Sequence, residues 1–244
     1  MRYFGGKTRI CKDIASLLGS VRKPGQSFLS PFVGGGWVEC LVPDSKQCSD
    51  RHPYLIAMYQ ELQRGWKPPR ELTVEEYRYI KDHKDEKPYL TGFVGFGCSF
   101  AGKWFGGYAK EKAKRNFCLN AYNSILNKMK GFSRTQFQCI DYKELKPDGM
   151  LIYCDPPYYG TTQYARLVVG DFNSDEFWEV MRLWGKNNTV MISEYTAPDD
   201  FKCIWSKKTK IDMKDKNNCN AIRVEKIYTP NQDVIAGNSP SLFE

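Results

Sequence analysis

The stretch LIYCDPPYYG (151–160) sets Asp155 behind an aliphatic run and ahead of Pro156, Pro157 and Tyr158. A residue before proline is pushed away from helical angles, so Asp155 is expected to be extended, and the second proline stiffens the turn after it. Prolines carry no N–H, which leaves nearby carbonyls free to face a ligand. A rigid carboxylate beside a carbonyl offers two acceptors, the complement of a planar –NH₂ with its two donors. Holding both hydrogens draws the nitrogen lone pair out of conjugation with its ring, so that a poor nucleophile becomes a usable one. Tyr158 then offers a face on which a flat base can stack, worth about 1–3 kcal/mol per base. The plain alternative is a strand-ending Pro-Pro turn with a capping Asp.

Two further groups point to a nucleoside. PFVGGGWVE (31–39) places Gly34, Gly35 and Gly36 where a tight turn lets backbone approach a bound nucleotide, although such a turn is equally often a structural loop. It is neither G-x-G-x-x-G nor a P-loop, so no standard dinucleotide or ATP site is indicated. Asp50, about fifteen residues beyond the glycines, can accept from both hydroxyls of a ribose. It can equally cap a helix starting near Pro53. The glycine turn favours the ribose.

These residues need elements to hold them. SFLSPF (27–32), KQCS (46–49), FQCI (137–140) and MLIYC (150–154) read as buried strands, and each ends at a polar or glycine-rich punctuation. Helical periods occupy 8–20, 53–65 and 174–186. Strand alternating with helix predicts a doubly wound, mostly parallel sheet, with its ligand outside the carboxyl ends of the strands. The four punctuations are expected on one edge. NTVMISEY (188–195), FKCIWSKKTK and AIRVEKIY (221–228) are expected to close the sheet with an antiparallel edge. From 65 to 130 the alternation fails. WKPPRE, a helix at 73–83, a Gly/aromatic stretch (92–115) and a helical period over 116–132 read as an inserted subdomain, and 231–244 reads as a loose tail.

The chain has 244 residues, 36 basic against 28 acidic, for a net charge of +8. That balance favours polyanionic partners. Nine cysteines without a C-x-x-C pair, and only His52 and His83, predict no metal site and read as core thiols of a reducing compartment. The charged N-terminus and the short, glycine-punctuated apolar stretches predict no membrane association and a cytoplasmic location, the host cytosol if the gene is phage-borne.

Taken together, the blocks resemble the Dam-type family of DNA adenine-N6 methyltransferases, its phage-like members in particular. RYFGGK (2–7) looks like the family's N-terminal cofactor motif, PFVGGGWVE like its glycine motif, SDRHPYLIAMY (49–59) like its ribose motif, and YCDPPYYGTTQY (153–164) like its catalytic motif and substrate loop. The resemblance implies a Rossmann-like S-adenosylmethionine-dependent methyltransferase sheet. The catalytic domain is expected over 1–64 and 131–244, with a small, mainly helical target-recognition insert at 65–130. It implies S-adenosylmethionine as cofactor, S-adenosylhomocysteine as product, and no metal. Tyr3 and Lys7 would hold the polar end of the cofactor, Phe32 and the glycines line its pocket, Asp50 bind the ribose and Asp141 touch the adenine. Asp155 would border the cofactor and bind the target amine, with Pro156, Pro157 and Tyr158 completing the catalytic turn. His52 departs from the family, where many relatives carry Asn. An Asp heading P-P-Y fits adenine better than cytosine N4, whose enzymes usually begin the motif with Ser.

Double-stranded DNA is the implied partner, with the base flipped out for reaction. Whether a restriction endonuclease accompanies the chain is left open, and a monomer or weak dimer is expected. Lys103, Trp104, Lys110, Lys112, Arg115 and Asn116 are the candidate DNA contacts in the insert, and Lys114 adds to its charge. Lys207, Lys208 and Lys210 form a second basic cluster. Trp104 and Phe105 either wedge into DNA or form the core of the subdomain. N4-cytosine methylation, an RNA or protein amine substrate, and a non-catalytic DNA-binding relative are the alternatives.

Overall fold

The computed structural model describes residues 1–110, 116–158, 168, 170–214, 220–231 and 233–234; side chains at 210–214 and 220–222 are outside that description. Lys112, Lys114, Arg115, Tyr159, the side chain of Lys210 and most of the expected tail lie outside the described residues.

The apolar runs and helical periods become, in order, α1 (Cys11–Val21), β1 (Phe28–Ser30), β2 (Lys46–Asp50), α2 (Pro53–Gln63), α3 (Val74–Asp82), α4 (Pro88–Gly97), α5 (Phe117–Met129), β3 (Thr135–Cys139), β4 (Leu151–Cys154), α6 (Ser174–Gly185), β5 (Thr189–Glu194), β6 (Lys202–Lys214) and β7 (Asn220–Thr229). Among the described residues the strands form one seven-stranded sheet of order β3-β2-β1-β4-β5-β7-β6. Its 3-2-1-4-5 portion is the doubly wound order. β7 runs antiparallel to β5, and β6 antiparallel to β7, giving the antiparallel edge.

The chain divides into two compact units. The first comprises Met1–Ser16, Ser30–Leu145 and Gln163–Asp171. Here β2 and β3 pair in parallel from Lys46↔Thr135 to Asp50↔Cys139. α2 covers them because its apolar residues recur on one face: Leu55, Ile56, Met58, Tyr59 and Leu62 are buried. Tyr59 stacks on Phe137 with ring centroids 4.7 Å apart. α3 starts at a capping box, Thr73 and Glu76 satisfying each other's backbone amides.

α4 is the helix the sequence does not announce. Gly92, Gly95 and Gly97 each weaken a helix by about 1 kcal/mol relative to Ala. What they gain is close approach. A Cβ on Gly92 would stand 2.0 Å from the Tyr54 carbonyl oxygen of α2, and one on Gly95 2.3 Å from the Trp104 ring. Packing thus overrides propensity.

The second unit comprises Leu17–Leu29, Lys146–Thr162 and Phe172–Glu244. Within it β4 pairs in parallel with β1 (Phe28↔Leu151) and with β5 (Cys154↔Ile192). All four β4 residues and all six of β5 are buried, as a strand covered on both faces requires. The side chain of Asn173 caps α6 by accepting from the Asp175 and Glu176 amides, and the helix buries Phe177, Trp178, Met181 and Trp184.

Cys48, Cys98, Cys118 and Cys154 are buried, whereas Cys139 and Cys203 are exposed. Among the described residues no helix is long and apolar enough to cross a membrane, and no group of three His, Cys, Asp or Glu side chains is placed to hold a metal.

Candidate active site

The first unit carries the glycine turn and Asp50. Beyond β1 the chain meets the carboxyl end of β2, where the Val33 amide donates to the Ser49 carbonyl at 2.9 Å. Gly34 (φ +44°) and Gly36 (φ +63°) occupy left-handed angles. A Cβ on Gly35 would stand 2.8 Å from Cβ of Tyr3, so the turn lies directly on the N-terminal RYFGGK segment. The Tyr59 hydroxyl donates to the Gly34 carbonyl at 2.9 Å, and buried Lys128 donates from Nζ to the Gly35 carbonyl. Burial pushes the Lys128 ammonium down to about 8.

Asp50 ends β2 and uses both oxygens locally. Oδ2 accepts the Gly34 amide and Oδ1 the His52 amide, each at 3.0 Å. A carboxylate has about four lone-pair positions, so Asp50 keeps acceptor capacity beyond its amides, which a ribose hydroxyl can use. Burial raises its pKa to about 6, against the pull of the His52 and Gly34 amides and of the charge and backbone amide of Arg51.

The helix-capping alternative for Asp50 does not hold, because that position belongs to His52. Its Nδ1 accepts the Leu55 amide at 3.3 Å, opening α2. The His52 ring is only 2% exposed and packs on Phe96 and Trp104, at 5.0 and 4.3 Å between ring centroids. Burial drives its pKa down to about 3, keeping the ring neutral and Nδ1 free to accept. At this point His52 does what Asn does in a cap.

Tyr3, Lys7, Phe32 and Asp141, also predicted to hold the cofactor, lie in the same unit, whereas Asp155 lies in the second. Lys7 is buried and donates from Nζ to the Gly5 carbonyl at 3.3 Å. The Tyr3 ring packs on Phe96, with centroids 4.8 Å apart, and Phe32 on Tyr142 at 5.1 Å. Asp141 has local partners: it accepts the Lys143 amide at 3.1 Å and lies 3.4 Å from Arg51.

The Gly/aromatic loop is anchored to the N-terminal segment, the Phe4 amide donating to the Gly102 carbonyl at 3.1 Å. Trp104 is half-buried, stacks on Tyr54 at 5.5 Å and, with Phe105, packs against the core. The Lys103 ammonium stands over the exposed Phe4 ring at 5.1 Å, and Lys110 is exposed. Asn116 caps α5 by accepting the Leu119 amide at 2.7 Å. The exposed aromatic of the loop is Phe100, at 64%.

The second unit carries the D-P-P-Y turn. Asp155 follows buried β4 directly and is half-buried; Pro156 is buried and Pro157 exposed. Tyr158 is 9% exposed. Its hydroxyl donates to Oε2 of Glu225 at 3.2 Å, and its ring stands nearly perpendicular (87°) to Tyr195, with centroids 4.6 Å apart. Arg223 donates to the Tyr195 hydroxyl at 3.1 Å. Sequence reasoning did not single out Tyr195, Arg223 or Glu225. For Tyr195 a signal existed: β5 lies parallel to β4, so its polar end falls beside the end that carries Asp155.

A 3-2-1-4-5 sheet closed by antiparallel strands is a doubly wound, Rossmann-like sheet, here with a glycine turn after its first strand. Residues 3–94 match the family described as D12 class N6 adenine-specific DNA methyltransferase. Over that span the resemblance read from RYFGGK, PFVGGGWVE and SDRHPYLIAMY is borne out; the D-P-P-Y turn lies beyond it. No curated protein matches the chain in sequence. Among solved structures the chain is similar to a candidate RNA methyltransferase from Pyrococcus horikoshii, with 10% identity and a TM-score of 0.42 over 93% of this chain and 84% of that one. It is also similar to the rRNA methyltransferase AviRa from Streptomyces viridochromogenes, with 11% identity and a TM-score of 0.43 over 98% and 90%. A third, a candidate methyltransferase determined with S-adenosylhomocysteine, has 11% identity and a TM-score of 0.35 over 93% and 54%.

Proposed function

We propose that this chain is a site-specific DNA methyltransferase that transfers a methyl group from S-adenosylmethionine to the N6 amine of adenine in duplex DNA. The observation that carries this reading is Asp155, set by two prolines at the end of a fully buried strand, with Tyr158 held beside it by named partners. The match of residues 3–94 to an adenine-N6 DNA family supports adenine as the base.

The glycine turn and Asp50 fit the nucleoside of the cofactor. The turn has no Cβ where one would collide with Tyr3, and the Asp50 carboxylate retains acceptor capacity for a hydroxyl donor. Asp50 holds the ribose, Tyr3 and Lys7 the polar end, and Phe32 with the glycines the pocket wall; Asp141 is assigned to the adenine. When bound, S-adenosylmethionine supplies an activated methyl group on a sulfonium. The chain contributes position and electrostatics. Asp155 accepts from the target –NH₂ and aims its lone pair, while Tyr158 receives the flipped base.

Residues 65–130 are assigned as the target-recognition insert. Lys103, Trp104, Lys110, Lys112, Arg115 and Asn116 are its candidate DNA contacts, with Lys207 and Lys208 of β6 meeting phosphates. The test is nucleoside mass analysis of unmethylated DNA treated with the protein and S-adenosylmethionine. N6-methyladenine is the expected product. N4-methylcytosine would reassign the base, and no methylated nucleoside in DNA would move the substrate to RNA or protein.

A further inference from the structure

Tyr158 has partners that the catalytic motif itself does not contain: Glu225 of β7 and Ser193 of β5 bond its hydroxyl, and Tyr195 packs on its ring. Glu225 lies on β7, opposite Lys207 of β6, and receives the Tyr158 hydroxyl at 3.2 Å. Tyr195 follows β5 and meets the Tyr158 ring edge-on, its own backbone amide donating to the buried Glu194 carboxylate at 2.5 Å. Arg223 lies two residues before Glu225 on β7. It donates to the Tyr195 hydroxyl and lies over that ring, 5.8 Å from its centroid. Residues two apart on a strand share a face, so β7 presents an acid to one tyrosine and a guanidinium to the other.

We infer that Glu225 is a positioning residue for the target base, acting through Tyr158, with Tyr195 and Arg223 as the backstop that keeps the Tyr158 ring from tilting. A phenol ring rotates about two torsions; a hydroxyl anchor at one end and an edge-on ring at its side fix both. The D-P-P-Y turn sets the carboxylate, and the ribbon edge sets the aromatic face that must lie parallel to a bound base. The inference rests on the proposed function for its purpose. The hydrogen bond between Glu225 and Tyr158 stands independently of it.

The experiment combines a mutant cycle with a spectroscopic probe. Glu225→Ala, Glu225→Gln, Tyr158→Phe and Tyr158→Phe/Glu225→Ala are assayed for methyl transfer from S-adenosylmethionine to unmethylated DNA. In parallel, 3-fluorotyrosine at position 158 is read by fluorine NMR in wild type and in the Glu225 variants. Removing a hydrogen bond to a carboxylate predicts that Glu225→Ala lowers kcat about tenfold, with KM for S-adenosylmethionine unchanged. Glu225→Gln, which keeps an acceptor oxygen, recovers most of the rate. In the Tyr158→Phe background Glu225→Ala adds no further loss. The fluorine resonance shifts or broadens in Glu225→Ala and returns towards wild type in Glu225→Gln. A kcat unmoved by Glu225→Ala, a full further loss in the Tyr158→Phe background, or an unmoved fluorine line overturns the inference. If wild-type protein transfers no methyl to DNA, the proposed function fails instead, and the fluorine comparison still decides whether Glu225 positions Tyr158.

Discussion

Asp50 carries its charge at a cost, and that cost gives a prediction for cofactor binding. Its carboxyl titrates near 6, against 3.8 when unperturbed, because burial outweighs the amides it accepts. At about 1.36 kcal/mol per pKa unit, holding the ionised form costs about 3 kcal/mol. The sign is that of a raised acid. Below 3.8 both folded and unfolded chains are protonated; between 3.8 and about 6 the folded chain holds more protons, so stability falls as pH rises through that window and is level above it. A ribose diol needs an acceptor, so the bound form is the carboxylate and cofactor binding releases a proton below about pH 6. Affinity for S-adenosylhomocysteine is therefore expected to be level from pH 7 to 8 and about tenfold weaker at pH 5. Titration calorimetry in two buffers of different ionisation enthalpy reads both the affinity and the proton count. Asp50→Asn offers one acceptor oxygen where backbone amides and a ribose hydroxyl need partners. It is expected to lose at least a hundredfold in affinity and all of the pH dependence, while folding stability at pH 7 changes little, because relief of the buried charge offsets the mismatched amide. Affinity that is flat from pH 5 to 8, or an Asp50→Asn protein that binds normally, would refute this role for Asp50.

Other outcomes follow from the same packing. Gly92→Ala places a methyl 2.0 Å from the Tyr54 carbonyl, forces α2 and α4 apart, and is expected to cost about 2–3 kcal/mol in urea unfolding. Lys128, whose ammonium burial lowers to about 8 from 10.5, should make stability rise between pH 8 and 10.5, since the unfolded chain then binds more protons. Lys128→Met should flatten that rise and, by leaving the Gly35 carbonyl without its donor, weaken S-adenosylhomocysteine binding in calorimetry. Replacing Lys207 and Lys208 by Ala should lower the slope of log affinity for DNA against log salt by about 0.9 for each phosphate no longer neutralised, measured by fluorescence anisotropy.

Most of the sheet was legible because its strands are short apolar runs that stop at polar residues, a pattern that survives without knowledge of their neighbours. The D-P-P-Y turn was legible for the same reason: proline fixes backbone angles locally. α4 was not legible, since three glycines argue against a helix until the Tyr54 carbonyl and Trp104 ring that require them are known. That His52 caps α2 in place of Asp50 was not legible either. Both residue positions precede Pro53, and it is the His52 Nδ1, not the Asp50 carboxylate, that accepts the Leu55 amide. Glu225 gave no sign in sequence. It lies 67 residues beyond Tyr158, on a strand whose antiparallel pairing decides which face it presents.

Methyl transfer as proposed depends on Asp155 gripping the adenine amine in DNA. Expression of wild-type protein and Asp155→Ala in a methylation-free host, followed by mass analysis of nucleosides from the host DNA, tests it most directly. N6-methyladenine is expected with wild type and none above background with Asp155→Ala, while the variant still binds DNA in anisotropy measurements. Equal N6-methyladenine from both proteins, or a wild type that leaves the DNA unmodified, would contradict it.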